Sequence, residues 1–223
     1  MEGMEVWSRS DLRLIVSRGF QSNTYLLATG RIRDCVVIDP GLDREAIEQA
    51  ISLSGWCPIA VLCTHGHFDH IGGASWLQSS YSIPVFLHSA DLKLAKLANF
   101  MMAAFKVNQR INLPDFQLIE TDIFSINQGE RSFLFRALPG HTPGSVAITV
   151  DDLLFSGDSL YAKKIALSRL PGENSKILCT SLSRLFEQVD SNTSVFPGHG
   201  GSATLAAILR DNQELRIFMA QQD

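Results

Sequence analysis

The sequence lacks the features that would mark a secreted or membrane-bound protein. Its four cysteines are scattered through 223 residues and form no CxxC pair. Cysteines in such a pattern are typical of reduced, mostly buried thiols, which favours a cytoplasmic location over a disulfide-stabilised secreted protein. The N-terminal segment shows neither the basic and then apolar order of a secretion signal nor the Arg-rich, acid-free composition of a transit peptide.

Long apolar runs and clusters of positive charge are also missing. No apolar stretch is long enough to span a bilayer, so no membrane partner is expected. Lys and Arg total 19 against 23 Asp and Glu, and no basic run marks a surface for nucleic acid. With 45% hydrophobic and 19% charged residues the composition is globular, and the length favours one domain over residues 1–223.

Histidine, by contrast, is concentrated in one short stretch. Half of the six histidines fall within CTHGHFDHIGG, where His65, His67 and His70 accompany Asp69. This stretch begins where a predicted buried strand, residues 59–63, ends. Histidine is costly to bury and contributes little as a packing residue, so the cluster is predicted to bind something.

Three further candidate ligands each follow a predicted strand and stand beside glycine. His141 lies in LPGHTPG, Asp158 in LFSGDS and His199 in VFPGHGG. The glycines let the backbone turn tightly and bring each side chain towards a shared point. The remaining histidine, His88, precedes a predicted helix and is interpreted as a polar residue near a helix start rather than as a ligand.

The candidate ligands are too many for a single ion. Imidazole and carboxylate groups suit Zn, Fe or Mn, and a catalytic zinc ion typically keeps three protein ligands and a water molecule. The set therefore predicts two divalent ions, with zinc favoured, about 3.5–4 Å apart and sharing the carboxylate of Asp158. The predicted ligands are His65, His67, Asp69, His70, His141, Asp158 and His199.

This ligand pattern resembles that of the metallo-β-lactamase fold. Residues 65–70 match the HxHxDH metal-binding motif of that superfamily, and the three later ligands follow in the same order. Asp39, in IDPG, matches a further acidic position that usually lies close to the metals. The resemblance covers about residues 12–205 and implies an α/β (α+β) fold, a four-layer αββα sandwich of two mixed β-sheets with outer helices. The metals would lie at one edge, on loops at strand ends.

The hydrophobic pattern agrees with such an architecture. Short predicted strands begin the chain, and an amphipathic helix follows between Asp43, as its cap, and Gly55, after its end. The second half is rich in predicted strands and closed by helices. Single helices are predicted over residues 89–105 and 202–218. The apolar residues 97–105 either line a substrate pocket or pack as an ordinary helix, and the sequence leaves both interpretations open.

Within the superfamily, the segments NTYL, VIDPG, HTPGS and FSGDS look most like the glyoxalase II group. That resemblance implies hydrolysis of a thioester, S-lactoylglutathione to lactate and glutathione, by a metal-bridging hydroxide. Asp69 would bind metal and take part in proton transfer. Two features depart from the group. Only a short segment follows His199, where full-length enzymes carry a glutathione-binding helical domain, and ALSR stands where many short relatives have Gly-Arg-Ser/Thr-Asp.

The substrate is expected to be a small thioester or ester. Tyr161, Lys163, Lys164 and Arg169 follow the shared aspartate, and they either bind an anionic group such as a glutathione carboxylate or form a solvated basic loop. Two alternatives of the same fold remain. One is a persulfide dioxygenase with a single iron held by two histidines and an aspartate, and the other is a lactonase or other ester hydrolase. Metal content and oxygen uptake separate the dioxygenase from the hydrolases.

Overall fold

The computed structural model describes residues 9–165, 167, 170 and 172–221, which form two β-sheets with helices on their outer faces. In the first sheet the strands follow chain order. Its first three strands pair antiparallel, and β3 to β6 run parallel. These strands are β1 (Leu12–Val16), β2 (Asn23–Ala28), β3 (Asp34–Ile38), β4 (Cys57–Leu62), β5 (Val85–His88) and β6 (Phe116–Ile119).

The second sheet has its strands in the reverse order, from the last strand to the seventh. The tenth and eleventh strands of the chain are parallel neighbours in this sheet, and its other neighbouring strands are antiparallel. These strands are β7 (Ile123–Gln128), β8 (Arg131–Ala137), β9 (Val146–Val150), β10 (Leu153–Gly157), β11 (Ser194–Pro197) and β12 (Ala203–Thr204).

Helices connect the strands and cover both sheets. In the described part of the chain, none of them has the length and apolar character needed to cross a bilayer. A 3₁₀ turn, Ser89–Asp91, follows β5. The helices are α1 (Arg44–Ser54), α2 (Phe68–Ile71), α3 (Ala74–Tyr81), α4 (Leu92–Lys96), α5 (Ala98–Ala104), α6 (Ser175–Gln188), α7 (Leu205–Asp211) and α8 (Gln213–Ala220).

Three apolar layers hold these elements together. Between the sheets, side chains such as Leu62 of β4 and Phe133 of β8 belong to one buried cluster. A second cluster joins the first sheet to its helices through Leu77 of α3, and a third joins the second sheet to α6 through Leu182. Strands β3 and β4 are almost wholly buried because both faces of the sheet are covered. The predicted αββα sandwich of two mixed sheets is confirmed.

Local signals set several helix ends as the sequence predicts. The Asp43 side chain accepts a hydrogen bond from Ala46 N at the start of α1, and Gly55 ends that helix in the left-handed conformation with φ 68°. The prediction of single helices over residues 89–105 and 202–218 is wrong, because each of these segments is interrupted. The first is divided into the 3₁₀ turn, α4 and α5, and the second is broken at Asn212.

Asn212 breaks the last helix because its side chain has two uses at once. Its Oδ1 accepts from Leu215 N at 3.0 Å and caps α8. Its Nδ2 donates to the carbonyl oxygens of Tyr161 and Lys164, each at 3.0 Å. The C-terminal helices therefore hold the loop that follows Asp158.

Candidate metal centre

All seven predicted ligands lie in segments that follow strands at one edge of the two sheets, five on loops and two, Asp69 and His70, in the short helix α2. The residues from His65 to His70 follow β4 and run into α2, while the other three ligands follow β8, β10 and β11. Because β10 and β11 are parallel neighbours, their carboxyl ends open at the same edge and bring Asp158 and His199 together. A hydrogen bond of 2.8 Å from Gly198 N to Gly157 O joins these two strand ends.

Three histidines form the first cluster. His65 Nε2 lies 3.1 Å from His67 Nδ1, and His141 Nε2 lies 3.0 Å from the same atom. All three side chains are buried. Three imidazoles directed to one point are a ligand set typical of a catalytic zinc ion. We call these residues the three-histidine cluster.

Asp69, His70 and His199 form the second cluster. Asp69 Oδ2 lies 3.6 Å from His70 Nε2 and 3.5 Å from His199 Nε2. The two imidazole Nε2 atoms are 3.3 Å apart. Two imidazoles and a carboxylate suit a second divalent ion of the same kind. We call these residues the aspartate cluster.

Asp158 lies between the two clusters and contacts members of both. Its Oδ2 is 3.7 Å from His141 Nε2 and 3.4 Å from His199 Nε2. Its Oδ1 is 3.5 Å from His70 Nε2. Asp158 would therefore be within reach of an ion held at either cluster, as expected for a shared carboxylate.

The side chains fit divalent cations better than they fit one another. Among the described residues, the buried atoms Asp158 Oδ1 and His67 Nε2 have no hydrogen-bond partner, although buried polar groups nearly always have one. Imidazole nitrogens that face each other at 3.0–3.3 Å need a shared cation or a proton between them. The donor set therefore fits one ion at each cluster.

Asp39 orients the histidines of both clusters from behind. Asp39 lies near enough to His65 and His70 to form a possible ligand group with them, but both of its oxygens already accept hydrogen bonds. Its Oδ1 accepts from Thr64 N at 2.7 Å, and its Oδ2 accepts from Thr64 Oγ1 at 2.6 Å. Asp39 Oδ2 also lies 3.3 Å from His70 Nδ1, and Thr64 Oγ1 lies 3.0 Å from His65 Nδ1. Since the carboxylate only accepts, the Nδ1 atoms of His65 and His70 carry hydrogens, and their Nε2 atoms are the ones that face the site. Asp39 thus lies behind the predicted ligands, where its hydrogen bonds fix the orientation of His70 directly and of His65 through Thr64.

The two clusters differ in charge. Burial and the neighbouring His70 and His67 hold the pKa of His65 well below its usual value, and burial lowers the pKa of His67 to about 4. Burial alone would lower the pKa of His70, but Asp158 and Asp69 outweigh it and raise that pKa to about 9. His65 and His67 are therefore neutral at physiological pH and have lone pairs ready for a metal.

The predicted substrate residues lie in different surroundings. Tyr161 is 3% exposed, and burial and the neighbouring Asp158 carboxylate raise the pKa of its phenol well above the usual value. Lys163 and Lys164 are exposed, and Lys164 Nζ lies 5.2 Å from the centre of the Tyr161 ring. Arg169 lies outside the described residues. Of the described three, Tyr161 is the one whose side chain interacts with a predicted ligand.

The apolar segment over residues 97–105 has two kinds of side chain. Met101 and Met102 are buried in the helix packing of the first sheet. Phe105 is about half exposed, and its ring lies 5.9 Å from that of Phe68, the residue between two predicted ligands. Phe20 completes this aromatic group, with its ring 4.9 Å from Phe68. The segment thus packs through its methionines and presents Phe105 near the HxHxDH loop.

Two residues with clear roles at the site were not singled out from the sequence. Thr64 stands between Asp39 and His65, and Asp91 binds the loops of the three-histidine cluster. A Thr next to a ligand and an Asp near a helix start are common patterns, and neither indicates a role without the fold. His88 lies outside both clusters, where its Nδ1 accepts from Ala90 N.

Comparisons with known proteins identify the family of the chain. A sequence model of the metallo-beta-lactamase superfamily matches residues 17–218. A probable metallo-hydrolase of Bacillus subtilis (strain 168) is 34% identical over 186 residues, covering 81% of this chain and 85% of that protein. A hydroxyacylglutathione hydrolase of Haemophilus influenzae is 25% identical over 211 residues, covering 91% and 96% of the two chains. A crystal structure of a protein in a di-iron-bound form aligns with a TM-score of 0.80 at 34% identity, covering 90% of this chain and 98% of that one.

Proposed function

The chain belongs to the metallo-β-lactamase superfamily, and from this we propose that it is a metal-dependent hydrolase that acts on a thioester. The observation that carries the proposal is the position of Asp158 between two complete ligand clusters. Divalent ions held by these residues would polarise a carbonyl group and supply hydroxide at neutral pH, which is the chemistry that hydrolysis needs. No side-chain nucleophile is then required.

The protein contributes orientation and charge. Asp39 and Thr64 fix the hydrogens of His65 and His70, so each imidazole presents one nitrogen to the site. Burial would raise the pKa of Asp69, but His70 and His199 outweigh it and lower that pKa, so the carboxylate is ionised at neutral pH. Beyond binding metal, we expect Asp69 to hold or transfer a proton during the reaction.

The substrate is expected to approach from the side of Asp69 and His199. Their side chains are 12% and 20% exposed, whereas those of His70 and His141 are 0% and 3% exposed. Lys163 and Lys164 are exposed on the loop after Asp158, and a pair of cations there suits an anionic substrate such as a glutathione conjugate. The hydroxyacylglutathione hydrolase among the relatives supports the same substrate class.

We propose two divalent ions, with zinc as the first candidate. The five imidazoles and two carboxylates accept zinc, iron and manganese, and availability often decides among these metals. A related protein has been solved with two irons, which supports the count of two and keeps iron as an alternative to zinc.

The deciding experiment is thiol release from S-D-lactoylglutathione, with metal content measured on the same purified sample. We expect rapid release and close to two metals per chain. Bound metals without thiol release would exclude glutathione as the recognised group and direct the search to other thioesters and lactones. One iron per chain, with oxygen uptake on a persulfide, would replace the hydrolase by a dioxygenase.

Tyr161→Phe tests how the loop after Asp158 contributes to catalysis. The variant keeps the buried ring and removes the hydroxyl beside the Asp158 carboxylate. We expect kcat to fall about 10–100-fold with little change in KM, because groups that support a metal ligand have effects of this size. Steady-state kinetics of this variant and of Tyr81→Phe, a control on α3, measure it. Kinetics equal to those of the wild type would refute a role for the hydroxyl, and a rise in KM alone would indicate direct substrate binding.

A further inference from the structure

Asp91 is a completely buried carboxylate that the proposed chemistry does not use. It is 0% exposed and ends the 3₁₀ turn after β5. It belongs to none of the ligand clusters found among the described residues. A buried carboxylate must be well hydrogen-bonded to be tolerated, so its partners indicate what it does.

The partners of Asp91 come from the two loops that carry the three-histidine cluster. Asp91 Oδ2 accepts from Gly66 N and from Thr142 Oγ1, each at 2.7 Å. Asp91 Oδ1 accepts from Gly144 N, also at 2.7 Å. Gly66 lies between His65 and His67, and Thr142 follows His141 directly. One side chain therefore joins the two loops that carry the three histidines through short hydrogen bonds to a carboxylate, which are among the stronger kind.

The loops approach Asp91 so closely that a side chain at either contact point would crowd it, tightly at Gly66 and with a clash at Gly144. A Cβ atom at Gly66 would lie 3.0 Å from the Asp91 carbonyl oxygen. A Cβ atom at Gly144 would lie 2.6 Å from Asp91 N and 2.7 Å from Asp91 Cγ. Neither glycine is in the left-handed region of φ, so close approach, and not backbone conformation, is the reason for them.

The relative position of these loops cannot be set locally. His67 and His141 are 74 residues apart in the chain, yet their ring nitrogens lie 3.0 Å apart. A hydrogen bond from Val146 N to Thr64 O at 2.8 Å links the bases of the two loops. Asp91 acts further out, at residues next to the predicted ligands. The members of the aspartate cluster have no hydrogen bond to Asp91 among the described residues.

We propose that Asp91 is a positioning residue that holds the His65–His67 loop and the His141 loop at the separation that a metal ion in the three-histidine cluster requires. The inference rests on the proposed metal centre. It predicts an asymmetric effect, in which loss of Asp91 lowers the affinity for one ion far more than the affinity for the other. A general structural role would instead lower the affinities for both ions together.

Asp91→Asn is the test because it preserves shape and removes one acceptor. All three partners donate, so an amide group that faces one of them presents a donor to a donor. The stepwise affinities of the metal-free protein for zinc are measured by competition with a chromophoric chelator. We expect one affinity to fall about 10–100-fold, the usual effect of replacing a group that supports a metal ligand, and the other to stay within about threefold.

Matched measurements separate this result from misfolding. Asp190→Asn removes a carboxylate oxygen that accepts from Asn192 N at 2.7 Å on the surface, and it should leave both affinities unchanged. Circular dichroism and the melting temperature of both metal-free variants report the fold. Equal loss at both ions, or two unchanged affinities, would overturn the positioning role while leaving the metal centre intact. A wild-type protein that binds no zinc, iron or manganese would instead refute the proposed centre.

Discussion

Asp158→Ala is expected to release metal and to lower kcat/KM by more than about 100-fold. Replacing residues that merely support a metal ligand typically costs about 10–100-fold, and Asp158 itself contacts histidines of both clusters. Removing its charge leaves His70 and His199 with Asp69 as the remaining carboxylate in the aspartate cluster. Metal content per chain and kcat/KM for the hydrolysed substrate, measured on one preparation, give the result.

A surface aspartate provides the control for this variant. Asp211 pairs with Arg210 at 2.7 Å, and both side chains are largely exposed, so Asp211→Ala should keep metal and activity. Asp158→Asn, which keeps the volume and removes the charge, should behave like Asp158→Ala. If Asp158→Ala kept two metals and wild-type activity, a shared carboxylate would be the wrong description of the centre.

Gly198→Ala should lower metal content and kcat/KM by a similar factor, although it replaces none of the predicted ligands. A Cβ atom there would overlap Asp158 Oδ1 and lie 2.7 Å from His70 Cε1. The backbone cannot easily move away, since Gly198 N donates to Gly157 O at 2.8 Å and Gly198 O accepts from Asn23 N at 2.7 Å. The carboxylate must therefore shift. A displacement of about 1 Å at a reactive site can cost about 100-fold in rate, and overpacking adds about 1–3 kcal/mol of instability.

Gly201 supplies the matched control, three residues further along the same loop. A Cβ atom at Gly201 meets no atom within 4 Å, and the residue does not adopt a positive φ. Gly201→Ala should keep wild-type metal content, activity and melting temperature. Zinc affinity, kcat/KM and thermal unfolding of the two variants decide the matter. A fully active Gly198→Ala protein would show that Asp158 tolerates displacement and is not held at a required position.

Much of the architecture follows from local patterns. The apolar strands β3 and β4, the cap of α1 at Asp43 and its end at Gly55 all depend on side-chain period, capping or glycine conformation. The two closing helices could not be separated in this way. Asn212 fits a helical pattern, and it breaks the helix because its amide binds carbonyl groups in the distant loop after Asp158.

The candidate site divides in the same manner. The candidate ligands could be named from the sequence because histidine and aspartate beside glycine at strand ends form a distinctive pattern. The roles of Asp91 and Thr64 could not be predicted from local pattern, because nothing in their neighbouring residues shows which loops they bind. Asp91 makes its hydrogen bonds across 25, 51 and 53 residues of chain.

By itself, the sequence determined which groups are present and that each one follows a strand, since strand period, turn residues and donor chemistry are local properties. The tertiary structure alone decided which nitrogen of each imidazole faces the centre, and that Asp158 stands between the clusters. It also decided that Asp39 and Asp91 hold the ligands from behind. The physical reason is that a hydrogen bond or a shared carboxylate depends on distances of a few ångströms between loops. Those distances are set only when both sheets and their helices pack.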